Sequence, residues 1–182
     1  MNLYEAIGCR QSVRKYLRRE VPEKLRSQIL SYFAKASRLN DRIAVEAAIL
    51  DNTKGQAQVR GPWKVDAPYY LAIYSEPEEG AARNAGYLME QMILYLTAKG
   101  LGSCYLGGSH PAQKKKNGLQ LIMLAAFGYP EGRLCRESPL ARRLPLNELC
   151  IFREEAGEQM KTILRRLLFP NLNIYLKLCK MS

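Results

Sequence analysis

The segment Ala81 to Lys99 restricts the fold more than any other stretch of this chain. At helical spacing it carries Leu88, Met89, Met92, Ile93, Leu94 and Leu96 on most sides, and Glu90 and Thr97 share one narrow polar stripe. Such a helix has to be buried nearly all round, between a sheet and a second layer, for which a partner subunit is one candidate. Gly100-Leu101-Gly102 follows as a stop, because a glycine past the last turn takes the left-handed conformation that closes a helix.

The rest of the pattern supplies the sheet. Ala67 to Tyr74, Ser103 to Leu106 and Leu121 to Phe127 read as strands, the last ending in the turn Gly128-Tyr129-Pro130-Glu131-Gly132. A short helix opens at Leu3 with Asn2 as its cap, Gly8 stops it, and a second helix runs from Val21 to Ser37 with Pro22 at its start. Residues 51 to 64 are expected to be a loop. Strands separated by helices imply an α+β or α/β domain. At 182 residues the chain suits one compact domain, and no repeat or low-complexity tract interrupts it.

Composition removes several function classes. No apolar run reaches the roughly 20 residues of a membrane span, and the amino terminus lacks a signal layout, so a cytoplasmic protein is expected. Cys9, Cys104, Cys135, Cys150 and Cys179 are widely spaced with no C-x-x-C pair, so reduced, mostly buried thiols are expected rather than a disulfide framework. A single His110 makes the common zinc and Ser-His-Asp arrangements hard to build, and no metal ligands are expected. The net charge of +11 invites a nucleic-acid reading. That charge is scattered, however, and no aromatic residues interleave with Lys114-Lys115-Lys116, which reads as a solvated loop. Nucleic-acid binding is the minor alternative.

Two segments carry candidate chemistry. In extended geometry Arg10, Ser12 and Arg14 point the same way and gather two guanidinium forks and a hydroxyl on one anion, phosphate being the natural one. A solvated basic strand fits the same spacing equally well. Gly107-Gly108, directly after a strand, allows either a sharp turn or the approach of a flat ligand to the backbone, and the turn fits more simply. The glycines from Gly100 to Gly108 are not a dinucleotide fingerprint, since a helix precedes them and a strand follows.

Leu3-Tyr4-Glu5-Ala6-Ile7 with Cys9-Arg10-Gln11-Ser12-Val13-Arg14-Lys15-Tyr16 resembles the opening of the FMN-dependent nitroreductase family. Asn84-Ala85-Gly86-Tyr87-Leu88, the stretch Leu96 to Gly108, and Phe127-Gly128-Tyr129-Pro130 resemble that family's central helix, the strand after it and its Gly-Tyr-Pro turn, in the same order. The compact members of TM-nitroreductase type are the most similar. The resemblance implies an α+β sandwich, a central mostly antiparallel sheet flanked by helices, that forms a homodimer with FMN in the interface and Ala81 to Lys99 as the dimer core. By similarity Arg10, Gln11, Ser12 and Arg14 contact the FMN phosphate, ribityl chain and pyrimidine edge, while Leu106, Gly107 and Gly108 lie along the isoalloxazine ring. The implied activity is NAD(P)H-driven hydride transfer through the flavin to a small-molecule acceptor, a nitroaromatic, quinone or similar compound. No side chain presents itself as a required proton donor, so no catalytic residue is named.

The compact relatives carry an Ala-Pro-Ser-x-x-Asn-x-Gln-Pro-Trp segment where this chain reads Leu164 to Tyr175. A nitroreductase-like domain over residues 1–160 and a divergent basic tail over 161–182 are therefore expected, the tail being an altered reading of a longer ancestral one. A flavin-binding or structural remnant without catalysis is the main alternative function.

Overall fold

The computed structural model describes residues 1–62 and 64–137. The expected boundary between residues 160 and 161, and the tail itself, lie outside the described residues. Three helices, α1 (Leu3–Cys9), α2 (Glu23–Lys35) and α3 (Ala81–Ala98), accompany five strands, β1 (Val45–Asp51), β2 (Tyr69–Ser75), β3 (Gly102–Tyr105), β4 (Lys115–Lys116) and β5 (Leu119–Gly128). The strands form one sheet in the order β1-β2-β5-β3, with β4 paired to β5, and every ladder is antiparallel. The fold class is the α+β architecture expected from the sequence.

Local chemistry fixes the helix ends. Asn2 Oδ1 accepts from the Glu5 amide at 2.8 Å and Glu5 Oε2 accepts from the Asn2 amide at 2.9 Å, a reciprocal capping box. At the end of α3 the Gly100 amide donates to Thr97 O and the Leu101 amide to Leu96 O, the two bonds of a Schellman motif, with Gly100 at φ 79°.

Every residue of β2 is buried because both faces of the sheet are covered. Tyr69, Leu71 and Ile73 pack with Ala125 and Phe127 against α2 and α3. Tyr70, Ala72 and Tyr74 pack with Leu124, Ala126 and Leu106 beneath Val59 and Ala67 of the connecting segment. This alternation follows from the register, in which Tyr70 faces Ala126 and Leu71 faces Ala125.

The burial of α3 is met within the chain. Leu88, Met89, Met92, Ile93 and Leu96 pack among sheet residues and α2 residues Ile29 and Phe33, Tyr32 stacks on Tyr95 at 4.1 Å, and α1 also packs on this helix. The second layer is therefore α1 and α2, and the solvation of α3 does not call for a partner subunit. The expected polar stripe divides: Thr97 is buried and donates to Ile93 O, while Glu90 is exposed and accepts from the Tyr105 hydroxyl. Asn84 is buried too, its Oδ1 accepting from the Leu39 amide at 2.9 Å.

Two expectations are corrected, and one strand covers residues that the sequence reading assigned no state, apart from Asp51 at the start of the expected 51–64 loop. Val45–Asp51 forms β1, an edge strand whose Val-Glu-Ala-Ala-Ile-Leu sequence has little β character and which is imposed by pairing with β2. Lys115 and Lys116 are not loop residues but form β4, joined to β5 by Asn117-Gly118, both at positive φ as a type I′ hairpin turn requires. Cys9 and Cys135 form a disulfide across 126 positions, which linear spacing cannot reveal, while Cys104 is free and buried. Cys150 and Cys179 lie outside the described residues. Among the described residues no helix is long and apolar enough to cross a membrane.

Leu88→Ala, inside the α3 packing, is expected to cost about 2–5 kcal/mol in urea denaturation, whereas Tyr87→Ala on the exposed side should stay within about 0.5 kcal/mol. Equal losses would contradict this orientation of α3.

Candidate functional site

After α1 the chain runs as an extended arm along β3. Ser12 bridges Ser103 in parallel, the Val13 amide donates to Ser103 O at 2.9 Å, and Tyr16 bridges Pro130. Val13 is the buried residue of this arm, and it sits where a side chain on Gly102 would be: a Cβ there would lie 2.7 Å from Val13 Cγ2. Tyr16 fixes the far end, its hydroxyl donating to Val13 O at 2.5 Å, and burial above all pushes its pKa upward. Ser12 and Arg14 flank Val13 and are exposed.

Across from the arm lies the segment after β5. The Glu131 amide donates to Lys15 O, Gln11 Nε2 donates to Arg133 O at 2.7 Å, and Arg10 bridges Cys135. Arm and segment enclose an open cavity of about 410 Å³ whose side chains include Gln11, Ser12, Arg14, Lys15, Glu131 and Arg133. The cations outnumber Glu131, and Arg133 is paired with Glu137 rather than with Glu131. This cavity suits an anion held by guanidinium and ammonium donors with a hydroxyl between them.

The other candidate residues lie beyond the end of β3. Leu106, Gly107 and Gly108 border a cavity of about 440 Å³ with Leu121, Met123 and Leu124 as apolar wall and Ser109, His110 and Lys114 as polar end. Gly107 is exposed with open space where a Cβ would project, and Gly108 turns the chain at φ 72°. The connecting segment presses on this turn, for Arg60 and His110 exchange two backbone hydrogen bonds at 2.9 Å. Ser109 Oγ is buried without a hydrogen-bond partner, an atom whose burial a bound polar group would explain.

The structure thus brings Gln11, Ser12 and Arg14 together in one cavity and Leu106, Gly107 and Gly108 together in another. Leu106 stands three residues beyond Ser103, which at strand rise places the two groups roughly 10 Å apart along β3. Arg10 joins neither lining. Its guanidinium lies over the Tyr105 ring at 5.6 Å and its Nε is buried without a partner, so it does not share a face with Ser12 and Arg14 as strict alternation required. Tyr105 borders the second cavity and donates to Glu90 at 2.6 Å; burial first, then that bond, raises its pKa, and the phenol stays protonated.

Lys15, Arg133, Ser109 and Lys114 are the site residues that sequence reasoning did not single out. The Asn117-Gly118 hairpin signal was the one clue available for Lys114, since it folds the strand that follows Lys114 back along β5. Among the described residues no group of three or more His, Cys, Asp or Glu is placed to hold a metal ion.

The family model described as "Putative TM nitroreductase" matches residues 2–170, and the chain belongs to this family. A nitroreductase family protein from Clostridium difficile 630 superposes with a TM-score of 0.65 at 20% identity, over 84% of this chain and 99% of that one. A Desulfovibrio desulfuricans structure, titled a "putative nitroreductase in complex with FMN", gives 0.58 at 19% identity over 84% and 97% of the two chains. The similar "putative nitroreductase" of Thermotoga maritima gives 0.55 at 23% identity, with 88% of this chain covering 62% of that one. These likenesses show that the fold is shared. No curated protein matches the sequence.

Gly102→Ala is expected to push Val13 off β3 and loosen the arm. Amide hydrogen exchange at residues 12–16 should accelerate while β2 and β5 remain protected; unchanged exchange in the arm would mean that Val13 does not depend on this close approach.

Proposed function

We propose that the chain is an FMN-dependent oxidoreductase of nitroreductase type, driven by NAD(P)H. The observation that carries this reading is the pair of unlike cavities at the two ends of β3, one cationic and the other apolar with bare glycine backbone. Their separation and chemistry fit a ligand with an anionic tail and a flat ring. Bound there, FMN would supply two-electron redox chemistry linking NAD(P)H to a nitroaromatic, a quinone or a similar acceptor.

The protein's part is to hold and orient. Arg14, with Ser12 and Gln11 beside it, binds the phosphate and ribityl end, and Lys15 and Arg133 add positive charge there. Leu106, Gly107 and Gly108 form the floor under the ring, where an absent Cβ lets a planar group reach the backbone. Arg10 acts from behind Tyr105, its charge offsetting that of Glu90 at the edge of the ring cavity. In this reading the active form is a cytoplasmic homodimer whose second copy covers the open side of the site. At the lysine run Lys116 is tied to Glu46 at 3.0 Å, which leaves less free charge there for nucleic acid.

The test is the visible spectrum of the protein loaded with FMN and freed of unbound flavin. A retained flavin band that bleaches with NADPH or NADH under argon is expected. No retained flavin overturns the reading, and a band that does not bleach selects the remnant without catalysis. Arg14→Ala should weaken FMN binding by about tenfold or more, the scale of a hydrogen bond to a charged group.

A further inference from the structure

We propose that the Cys9–Cys135 pair is a thiol-exchange site, opened by a small or protein thiol, whose state governs how tightly the anion-binding arm is held. The last link, to the affinity of the site, rests on the proposed flavin function.

Both cysteines are partly exposed, unlike Cys104. Cys9 is the residue before Arg10, and Cys135 lies in the segment that walls the cationic cavity opposite the arm. Apart from the disulfide, polar contacts help hold this segment to the amino-terminal region, among them Arg136 N–H to Cys9 O at 3.0 Å, Arg136 Nε to Gly8 O at 2.6 Å, Arg136 Nη2 to Ile7 O at 2.9 Å, Gln11 Nε2 to Arg133 O at 2.7 Å and Glu131 N–H to Lys15 O at 3.1 Å. Those side-chain bonds are exposed, and exposed hydrogen bonds open easily. The covalent bond closes a loop of 126 positions, so its loss returns a large conformational freedom to the segment. In reducing compartments disulfides that do form are commonly transient and regulatory.

Exchange proceeds in two displacements. A thiolate from one RSH attacks one sulfur of the pair, forming a mixed disulfide and releasing the other cysteine as a thiolate. A second RSH thiolate then attacks the mixed disulfide at the R sulfur, giving RSSR and the second cysteine thiolate, and the two protons from the thiols end on the two cysteines. The pair is reduced by two electrons as the thiols are oxidised.

The experiment uses the full chain equilibrated in glutathione buffers of graded ratio, then alkylated and mapped by peptide mass, with amide exchange and FMN affinity measured at both extremes. Expected are joint protection of Cys9 and Cys135 under oxidation, faster exchange at 9–16 and 131–137 on reduction, and an FMN dissociation constant about tenfold higher in the reduced form, the loss of preorganisation. Cys9→Ser should show the reduced pattern in every buffer, and Cys104→Ser should respond as the wild type does. If that variant does not fold, the titration of the unaltered chain decides alone. Independent alkylation of the two thiols in oxidising buffer, or exchange and affinity that ignore the redox state, overturns the proposal. If FMN binds in neither state, the flavin reading falls, and mapping with amide exchange still judges the thiol-exchange site.

Discussion

The burial of α3 is the constraint from which the rest follows. A helix with leucine, methionine and isoleucine on nearly every side is stable only when covered, and here the sheet, α1 and α2 cover it. The Schellman turn at Gly100 then leads directly into β3. The strand that carries the site at both of its ends is therefore aimed by a helix that is itself fixed by burial. A site carried in this way stands on a rigid element, with Ser12, Arg14 and Lys15 exposed beside it.

The elements legible in the sequence are those with a strong local signal. The Asn2 cap, the helices of Leu25 to Phe33 and Leu88 to Leu96, and the aromatic run of β2 each announce their state through periodicity or end chemistry. Those missed are decided at a distance. Nothing in Val45–Asp51 asks for a strand until β2 is there to pair with it, and Thr97 becomes an interior residue because its hydroxyl turns back to Ile93 O. The candidate site was legible as two segments, and one relation within it was not: Arg10 leaves the face of Ser12 and Arg14 because the Tyr105 ring attracts its guanidinium. No spacing rule contains that ring.

Gly102 and Gly128 stand opposite each other in the β3–β5 ladder. One admits Val13 of the arm and the other admits Pro68, whose Cγ would lie 2.6 Å from a Cβ on Gly128. Two segments thus reach the sheet at a single rung through paired missing side chains, and the arm that bears the candidate anion ligands depends on that rung.

The arm also has an unusual place in time. Apart from the Arg10 amide, which donates to Ala6 O, and the Tyr16 hydroxyl, which donates to Val13 O, the hydrogen-bonding and bridging partners of residues 10–16 are Ser103, Ala126, Pro130, Glu131, Arg133 and Cys135. The arm cannot dock until β3 and the segment after β5 are there to receive it, and contacts of such sequence separation form slowly. The cationic cavity, walled by the arm on one side and the segment after β5 on the other, exists only once these two distant segments have met.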